Sequence, residues 1–66
     1  MGERILVKSL REQRGMTQKQ LSEKARVPRI CIIRYETGRY KPGMKNAAKL
    51  AAALGVTIDE LIGKAG

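Results

Sequence analysis

The sequence has no histidine, tryptophan or phenylalanine, and its 66 residues include a single cysteine, Cys31. Without histidine, the chain lacks the side chain that most often transfers protons or binds metal ions near neutral pH. A lone cysteine cannot assemble a zinc site or close an internal disulfide, and the missing disulfide favours a reducing, cytoplasmic compartment. We therefore predict that the protein is not an enzyme and carries no metal or other cofactor.

Long apolar runs are also missing from the chain. No segment is long enough to cross a bilayer, and no charged-then-apolar signal segment opens the sequence, so we expect no membrane association. Tyr35 and Tyr40 are the only aromatic residues, which leaves the core to Leu, Ile, Val, Met and Ala. Since 42% of the residues are hydrophobic and regularly spaced, we predict one small folded domain over residues 1–66.

Positive charge is concentrated in the middle of the chain, whose formal net charge is +8. Residues 24–49 carry eight basic side chains against the carboxylate of Glu36, whereas residues 1–23 carry a net +2 and residues 50–66 a net −1. Nucleic-acid phosphate is the commonest partner of such a patch, because binding releases condensed counterions. The alternatives are a solvated surface without a partner and an anionic membrane, and the basic segment lacks the apolar face that membrane anchoring needs.

Helix signals dominate the sequence, and no alternation typical of strands appears. We predict helices over residues 3–14, 17–25, 28–37, 44–54 and 57–62, with a loop over residues 38–43. Two capping-box patterns, Thr17-x-x-Gln20 and Thr57-x-x-Glu60, mark helix starts. Apolar residues at helical spacing define the core face of the fourth helix: Met44, Ala47, Leu50, Ala51 and Leu54. The fold class is therefore all-α, a compact bundle of five short helices.

The third predicted helix has two different faces. At about 100° per residue, one sector holds Ile32, Tyr35 and Cys31, and we predict that this sector faces the core. The opposite sector is predicted to be exposed and holds Arg29, Ile30, Ile33 and Arg34. In a DNA major groove, arginine pairs with guanine and an aliphatic side chain packs on the thymine methyl, which would explain exposed isoleucines. The alternative is a small rotation of the helix that places one of the two isoleucines in the core.

Motifs along nearly the whole chain, about residues 3–63, have the order and spacing of a known family. They are Leu10-Arg11-Glu12 with Gly15, Met16-Thr17-Gln18, Leu21, Ala25 and Val27, Ile32, Tyr35-Glu36-Thr37-Gly38, Lys41-Pro42, Leu50-Ala51, Leu54-Gly55-Val56 and Asp59-Glu60-Leu61. On these residues the chain resembles the Cro and phage-repressor type of helix-turn-helix domain, often called the Xre family. The resemblance implies a lambda-repressor-like bundle in which helices 2 and 3 form the DNA-binding unit and helix 3 enters the major groove.

The resemblance also implies roles for individual residues. The positions that read bases are Arg29, Ile30, Ile33 and Arg34. The positions that contact the DNA backbone are Gln18, Cys31, Thr37, Arg39, Tyr40 and Lys41. Gln18 is also expected to brace a side chain of the third helix, which is the recognition helix. Arg11 and Glu36 match a pair that usually forms an internal salt bridge between the first and third helices.

Three features depart from the family pattern. Arg26 stands at the corner between helices 2 and 3, where the family favours glycine, so we predict a slightly different turn and an added phosphate contact. Pro28 replaces the usual capping serine or threonine, so we predict that helix 3 starts without a side-chain cap. Ile30 and Ile33 are apolar where the family is often polar, which fits either thymine contacts or the docking of a protein partner.

The predicted function is that of a sequence-specific, double-stranded DNA-binding transcriptional regulator. Since 66 residues leave no room for an effector domain or a small-molecule pocket, we expect repression by occlusion of a promoter. One module contacts only a half-site, so we expect a homodimer on a near-palindromic operator. The predicted dimer surface consists of Val56, Ile58, Leu61 and Ile62.

Two other functions are alternatives to this one. An antitoxin or accessory subunit would use the exposed Ile30 and Ile33 to bind a protein, and this is the main alternative. RNA binding is disfavoured, because the chain lacks the aromatic platform that single strands favour.

Overall fold

The computed structural model describes residues 6–63 of the chain, and all regular secondary structure within that range is helical. The helices are α1 (Val7–Gln13), α2 (Gln18–Ala25), α3 (Arg29–Glu36), α4 (Met44–Leu54) and α5 (Ile58–Leu61). The predicted all-α fold with five helices is thus confirmed for the described residues, while the first residues predicted for helix 1, 3–5, lie outside them. None of the helices described is long and apolar enough to span a membrane.

Reciprocal side-chain caps begin two of the helices, as the capping-box patterns predicted. The Thr17 hydroxyl accepts a hydrogen bond from the N–H of Gln20 (3.0 Å), and the Gln20 side chain accepts one from the N–H of Thr17 (2.8 Å). Thr57 and Glu60 form the same pair at the start of α5. The hydrogen bond from the Thr57 backbone lowers the pKa of Glu60 below its usual value, because it favours the charged carboxylate.

The core is built around α4, which contacts α1, α2 and α5. Leu50 and Leu54 of α4 are buried. The same core cluster contains buried aliphatic side chains from the other helices and from the α2–α3 corner: Val7, Leu21, Val27, Ile32 and Leu61. Burying one such side chain contributes roughly 1.5–3 kcal/mol, so this cluster holds α2 and α3 in place. Met44 was predicted on the core face but is 76% exposed, because the apolar stripe extends one turn past the edge of the core.

The corner between α2 and α3 keeps a left-handed conformation, although it contains no glycine. Arg26, the residue after α2, has φ 57° and ψ 44°. Two hydrogen bonds close the corner: the Val27 N–H donates to the Ser22 carbonyl (3.2 Å), and the Ser22 hydroxyl donates to the Val27 carbonyl (2.7 Å). The prediction of a different turn is therefore wrong. The buried Val27 and its bonds to Ser22 impose the left-handed turn on Arg26, which adopts it at a steric cost.

Arg26→Gly is expected to have a free energy of unfolding about 1 kcal/mol higher than Arg26→Ala, because glycine adopts a left-handed backbone without a steric cost. Both variants remove the same charge and the same long side chain, so the difference between them isolates the backbone. Urea unfolding followed by circular dichroism measures this difference. Equal unfolding midpoints for the two variants would show that position 26 carries no strain.

Candidate nucleic-acid interface

The outer face of α3 is set by two anchored side chains on its inner face. Ile32 is fully buried, and Tyr35 is buried with its hydroxyl accepting a hydrogen bond from Nδ2 of Asn46 in α4 (2.9 Å). These contacts fix the rotation of the helix about its own axis. Arg29 and Arg34 are consequently exposed on the opposite side, as the helical periodicity predicted.

The two isoleucines of α3 differ in exposure. Ile30 is 52% exposed and stands near the middle of the outer face. Ile33 is half-buried, so it is less exposed than Ile30, and neither isoleucine belongs to the buried core cluster. At about 100° per residue, Ile33 lies about 60° from Ile30 and closer to the margin of the core. Cys31 is also half-buried and packs against the core cluster, which leaves less of its side chain available for the predicted phosphate contact.

The start of α3 lacks a side-chain cap, as the proline at position 28 led us to predict. The helix begins at Arg29, one residue later than expected, and Pro28 occupies the N-cap position without a side-chain hydrogen bond. The first N–H groups of a helix have no intrahelical acceptor, so this end of α3 carries a partial positive charge. That partial charge adds to the charge of Arg29 at the same end.

An ion pair and an amide connect α1, α2 and α3 behind the exposed face. Arg11 donates from Nε to Oε2 of Glu36 (2.7 Å) and from Nη2 to Oε1 (3.2 Å). Gln18 Nε2 donates to the same Oε1 (3.0 Å), and Nη1 of Arg11 donates to the Met16 carbonyl (2.8 Å). The hydrogen bond with Glu36 raises the pKa of Arg11 above its usual value. The fold therefore brings Arg11 and Glu36 together as the resemblance implied, and Gln18 braces α3 through Glu36.

The surface formed by residues 24–49 is more positive than the net charge of the segment implies. Glu36 is the only acidic residue in this segment, and its side chain is 4% exposed and paired with Arg11 from α1. Seven of the eight basic residues of the segment are exposed, and Lys49 is half-buried. No carboxylate of the segment therefore screens the positive field at the surface.

The loop after α3 contains three exposed residues that the resemblance placed at the DNA backbone, Arg39, Tyr40 and Lys41. The Arg34 guanidinium carbon lies over the Tyr40 ring, 5.3 Å from the ring centroid. Sequence reasoning missed this contact, because residues on the two sides of a turn have no fixed spacing. The Thr37 hydroxyl, another predicted backbone contact, donates to the Arg34 carbonyl (2.9 Å).

One of the four residues predicted for a dimer surface lies in the core of the monomer. Leu61 is fully buried in the monomer, so it cannot contact a second copy without unfolding α5, and we remove it from the surface. Val56 and Ile58 are half-buried and pack against the monomer core, and Ile62 is half-buried.

An α-helical bundle with an exposed basic helix behind a short turn is a helix-turn-helix domain of the lambda-repressor-like class. The sequence matches the helix-turn-helix family over residues 7–61. The chain therefore belongs to this family, and the resemblance drawn from its motifs is confirmed.

Similar proteins carry the names of regulators. The immunity repressor protein of Bacillus phage phi105 is 36% identical over 64 residues, which are 97% of this chain and 43% of the phage protein. An HTH-type transcriptional regulator of Methanothermobacter thermautotrophicus is 42% identical over 52 residues, which are 79% of this chain and 75% of the archaeal protein. The HTH-type transcriptional activator BcrR of Enterococcus faecalis is 36% identical over 56 residues, which are 85% of this chain and 28% of BcrR. The chain thus spans less than half of the phage and enterococcal relatives, and no solved structure matches it significantly.

Proposed function

We propose that the chain is a sequence-specific, double-stranded DNA-binding transcriptional regulator that reads the major groove with α3. The observation that carries this proposal is the exposure of Arg29 and Arg34 on a helix whose inner face is anchored by Ile32 and Tyr35. The planar donors of arginine pair with O6 and N7 of guanine, and a good pair discriminates against a wrong base by about 1–3 kcal/mol.

The apolar part of the proposed reading surface is Ile30. Its side chain is 52% exposed at the middle of the outer face, between the two arginines. An aliphatic side chain in this place packs against the methyl group of thymine, which no other base carries in the major groove. Ile33, half-buried at the margin of the same face, is the proposed second apolar contact.

Contacts to phosphates would fix the register of α3 in the groove. The proposed cationic contacts are Arg26 at the corner and Arg39 and Lys41 in the loop, and all three are exposed. Gln18 has one amide hydrogen bound to Glu36, which leaves its second hydrogen for a phosphate. The remaining proposed backbone contacts are Cys31, Thr37 and Tyr40.

We further propose that the protein acts as a homodimer and represses transcription by covering a promoter. One module contacts only a half-site, and two modules related by a two-fold axis fit a near-palindromic operator. The proposed contact surface is reduced to Val56, Ile58 and Ile62, since Leu61 belongs to the monomer core. The phi105 relative carries the name of a repressor and BcrR that of an activator, so the proposal of repression is based on promoter occlusion and not on the names of the relatives.

Selection from a pool of random duplexes tests the proposal. The purified chain is expected to enrich a site with two inverted half-sites, centred about 10 base pairs apart or a multiple of that distance. Arg29→Ala is expected to relax the preference at one position of each half-site, while duplexes of any sequence still bind weakly. A chain that enriches no sequence and ignores every duplex at low salt would refute the proposal.

The exposure of Ile30 also favours a second candidate function, in which α3 docks a protein partner, as in an antitoxin or accessory subunit. If α3 reads DNA, Ile30→Ala is expected to lower the preference for thymine roughly fourfold. This factor corresponds to the free energy of burying about one methylene group. Competition between two duplexes that differ at this base measures the preference. Met44→Ala is the matched control, because Met44 is 76% exposed and lies outside the proposed interface. Unchanged selectivity in Ile30→Ala would instead favour protein docking.

A further inference from the structure

The turn after α3 returns the chain toward the helix. The Gly38 N–H donates to the Tyr35 carbonyl (3.2 Å), and Gly38 has φ +80°, which reverses the chain direction. The Thr37 hydroxyl donates to the Arg34 carbonyl (2.9 Å), so the last turn of α3 is tied to the start of the loop. Two residues later, Tyr40 lies beside the helix with its ring under the Arg34 guanidinium, 5.3 Å from centroid to Cζ.

We propose that Tyr40 is a positioning residue that holds the Arg34 side chain in its base-reading orientation, and so helps to set sequence specificity. This inference rests on the proposed function and adds to it, because Tyr40 acts here through Arg34. The resemblance assigned Tyr40 only a contact with the DNA backbone. A free arginine samples many rotamers, and binding must immobilise it, so a contact that restrains it beforehand reduces the entropy cost of recognition.

An aromatic ring suits this task better than a carboxylate does. The ring attracts the flat face of the guanidinium and leaves its in-plane N–H donors free. Those donors are the ones that guanine O6 and N7 accept. A carboxylate partner would occupy the donors and neutralise the charge, which is the arrangement of Arg11 with Glu36 inside the bundle. The two arginines therefore show opposite environments: Arg11 has its donors bound, and Arg34 is supported on one face.

Tyr40→Leu and Tyr40→Phe separate this role from a direct phosphate contact by the Tyr40 hydroxyl. Leucine removes the ring, while phenylalanine keeps the ring and removes only the hydroxyl. The preference ratio between the selected duplex and one altered at the base read by Arg34 is the main readout. A cation–π contact at an exposed site corresponds to roughly a two- to fivefold effect, so we expect Tyr40→Leu to lower the ratio by that factor. Tyr40→Phe is expected to preserve the ratio, whatever overall affinity its hydroxyl contributes.

Two further measurements test whether Tyr40 acts through Arg34, and the second of them needs no DNA. In an Arg34→Ala background, Tyr40→Leu is expected to have no further effect on the ratio. In the free protein, the ring current of Tyr40 is expected to shift the Arg34 side-chain proton resonances upfield, and the shift should vanish in Tyr40→Leu and persist in Tyr40→Phe. Circular dichroism melting checks that each variant is folded.

The outcomes that overturn the inference are distinct from those that overturn the proposed function. One such outcome is that Tyr40→Leu leaves the preference ratio between the two duplexes unchanged, and another is that Tyr40→Leu lowers it equally with and without Arg34→Ala. Either result would show that Tyr40 does not act through Arg34. A missing ring-current shift in a chain that binds its selected duplex would also refute the inference alone. A chain with the shift but without binding to any duplex would refute the proposed function and the specificity role together.

Discussion

Raising the salt concentration from about 50 mM to about 200 mM is expected to weaken duplex binding roughly a thousandfold. Each protomer offers three cationic phosphate contacts in the proposed interface, Arg26, Arg39 and Lys41. A dimer would therefore neutralise about six phosphates and release their counterions, which gives a slope of log K against log salt of about −5. Glu36 does not reduce this number, because its side chain is 4% exposed and its charge is already paired with Arg11.

The slope of log K against log salt, measured by titration at several salt concentrations, is the test. Lys41→Gln is expected to make the slope shallower by about 2, since one contact is lost in each protomer of a dimer. Lys8→Gln is the matched control, because Lys8 is an exposed lysine of α1 outside the proposed interface. An equal change of slope in both variants would mean that the general charge of the chain, and no defined surface, attracts DNA.

Local signals in the sequence predicted the framework of the bundle well. The capping boxes at Thr17 and Thr57 involve residues only three positions apart, so their physics is contained in a short segment. The inner face of α3 was predicted for a similar reason. Helical geometry fixes the angle between Ile32 and Tyr35, so the two side chains lie on one face of α3. Because both are apolar enough to be buried, the opposite face is left exposed.

The wrong predictions all depend on neighbours that are distant in the sequence. Met44 continues the apolar spacing of α4, but the spacing does not reveal where the core ends. Leu61 was predicted on the dimer surface, but its side chain is fully buried in the core of the monomer. Arg26 was expected to alter its turn, yet the bonds between Ser22 and Val27 determine the backbone there. In each case, packing against residues that are distant in the sequence selects one of several structures that the local sequence allows.

Glu36→Ala is expected to lower the free energy of unfolding by about 3 kcal/mol, which is the largest stability effect we predict. The Glu36 side chain is 4% exposed and the Arg11 side chain 12% exposed, so removal of the carboxylate leaves a largely buried guanidinium that keeps its hydrogen bond to the Met16 carbonyl but has no carboxylate partner. Gln18 loses its acceptor at the same time. A domain of this size has a total stability of roughly 3–10 kcal/mol, so the loss is between about a third of that stability and all of it.

Guanidinium chloride unfolding of three variants separates the ion pair from general effects of charge. Glu23→Ala is the matched control, because it removes an exposed carboxylate from α2 and is expected to change stability by less than about 0.5 kcal/mol. Arg11→Met combined with Glu36→Leu is expected to recover most of the loss, since an apolar pair leaves no buried charge without a partner. A loss in the double variant as large as in Glu36→Ala would mean that packing around position 36, and not the uncompensated charge of Arg11, determines the stability of the bundle. The hydrogen bonds to Arg11 and Gln18 connect α3 to both α1 and α2, so the same substitution should also weaken duplex binding by loosening the recognition helix.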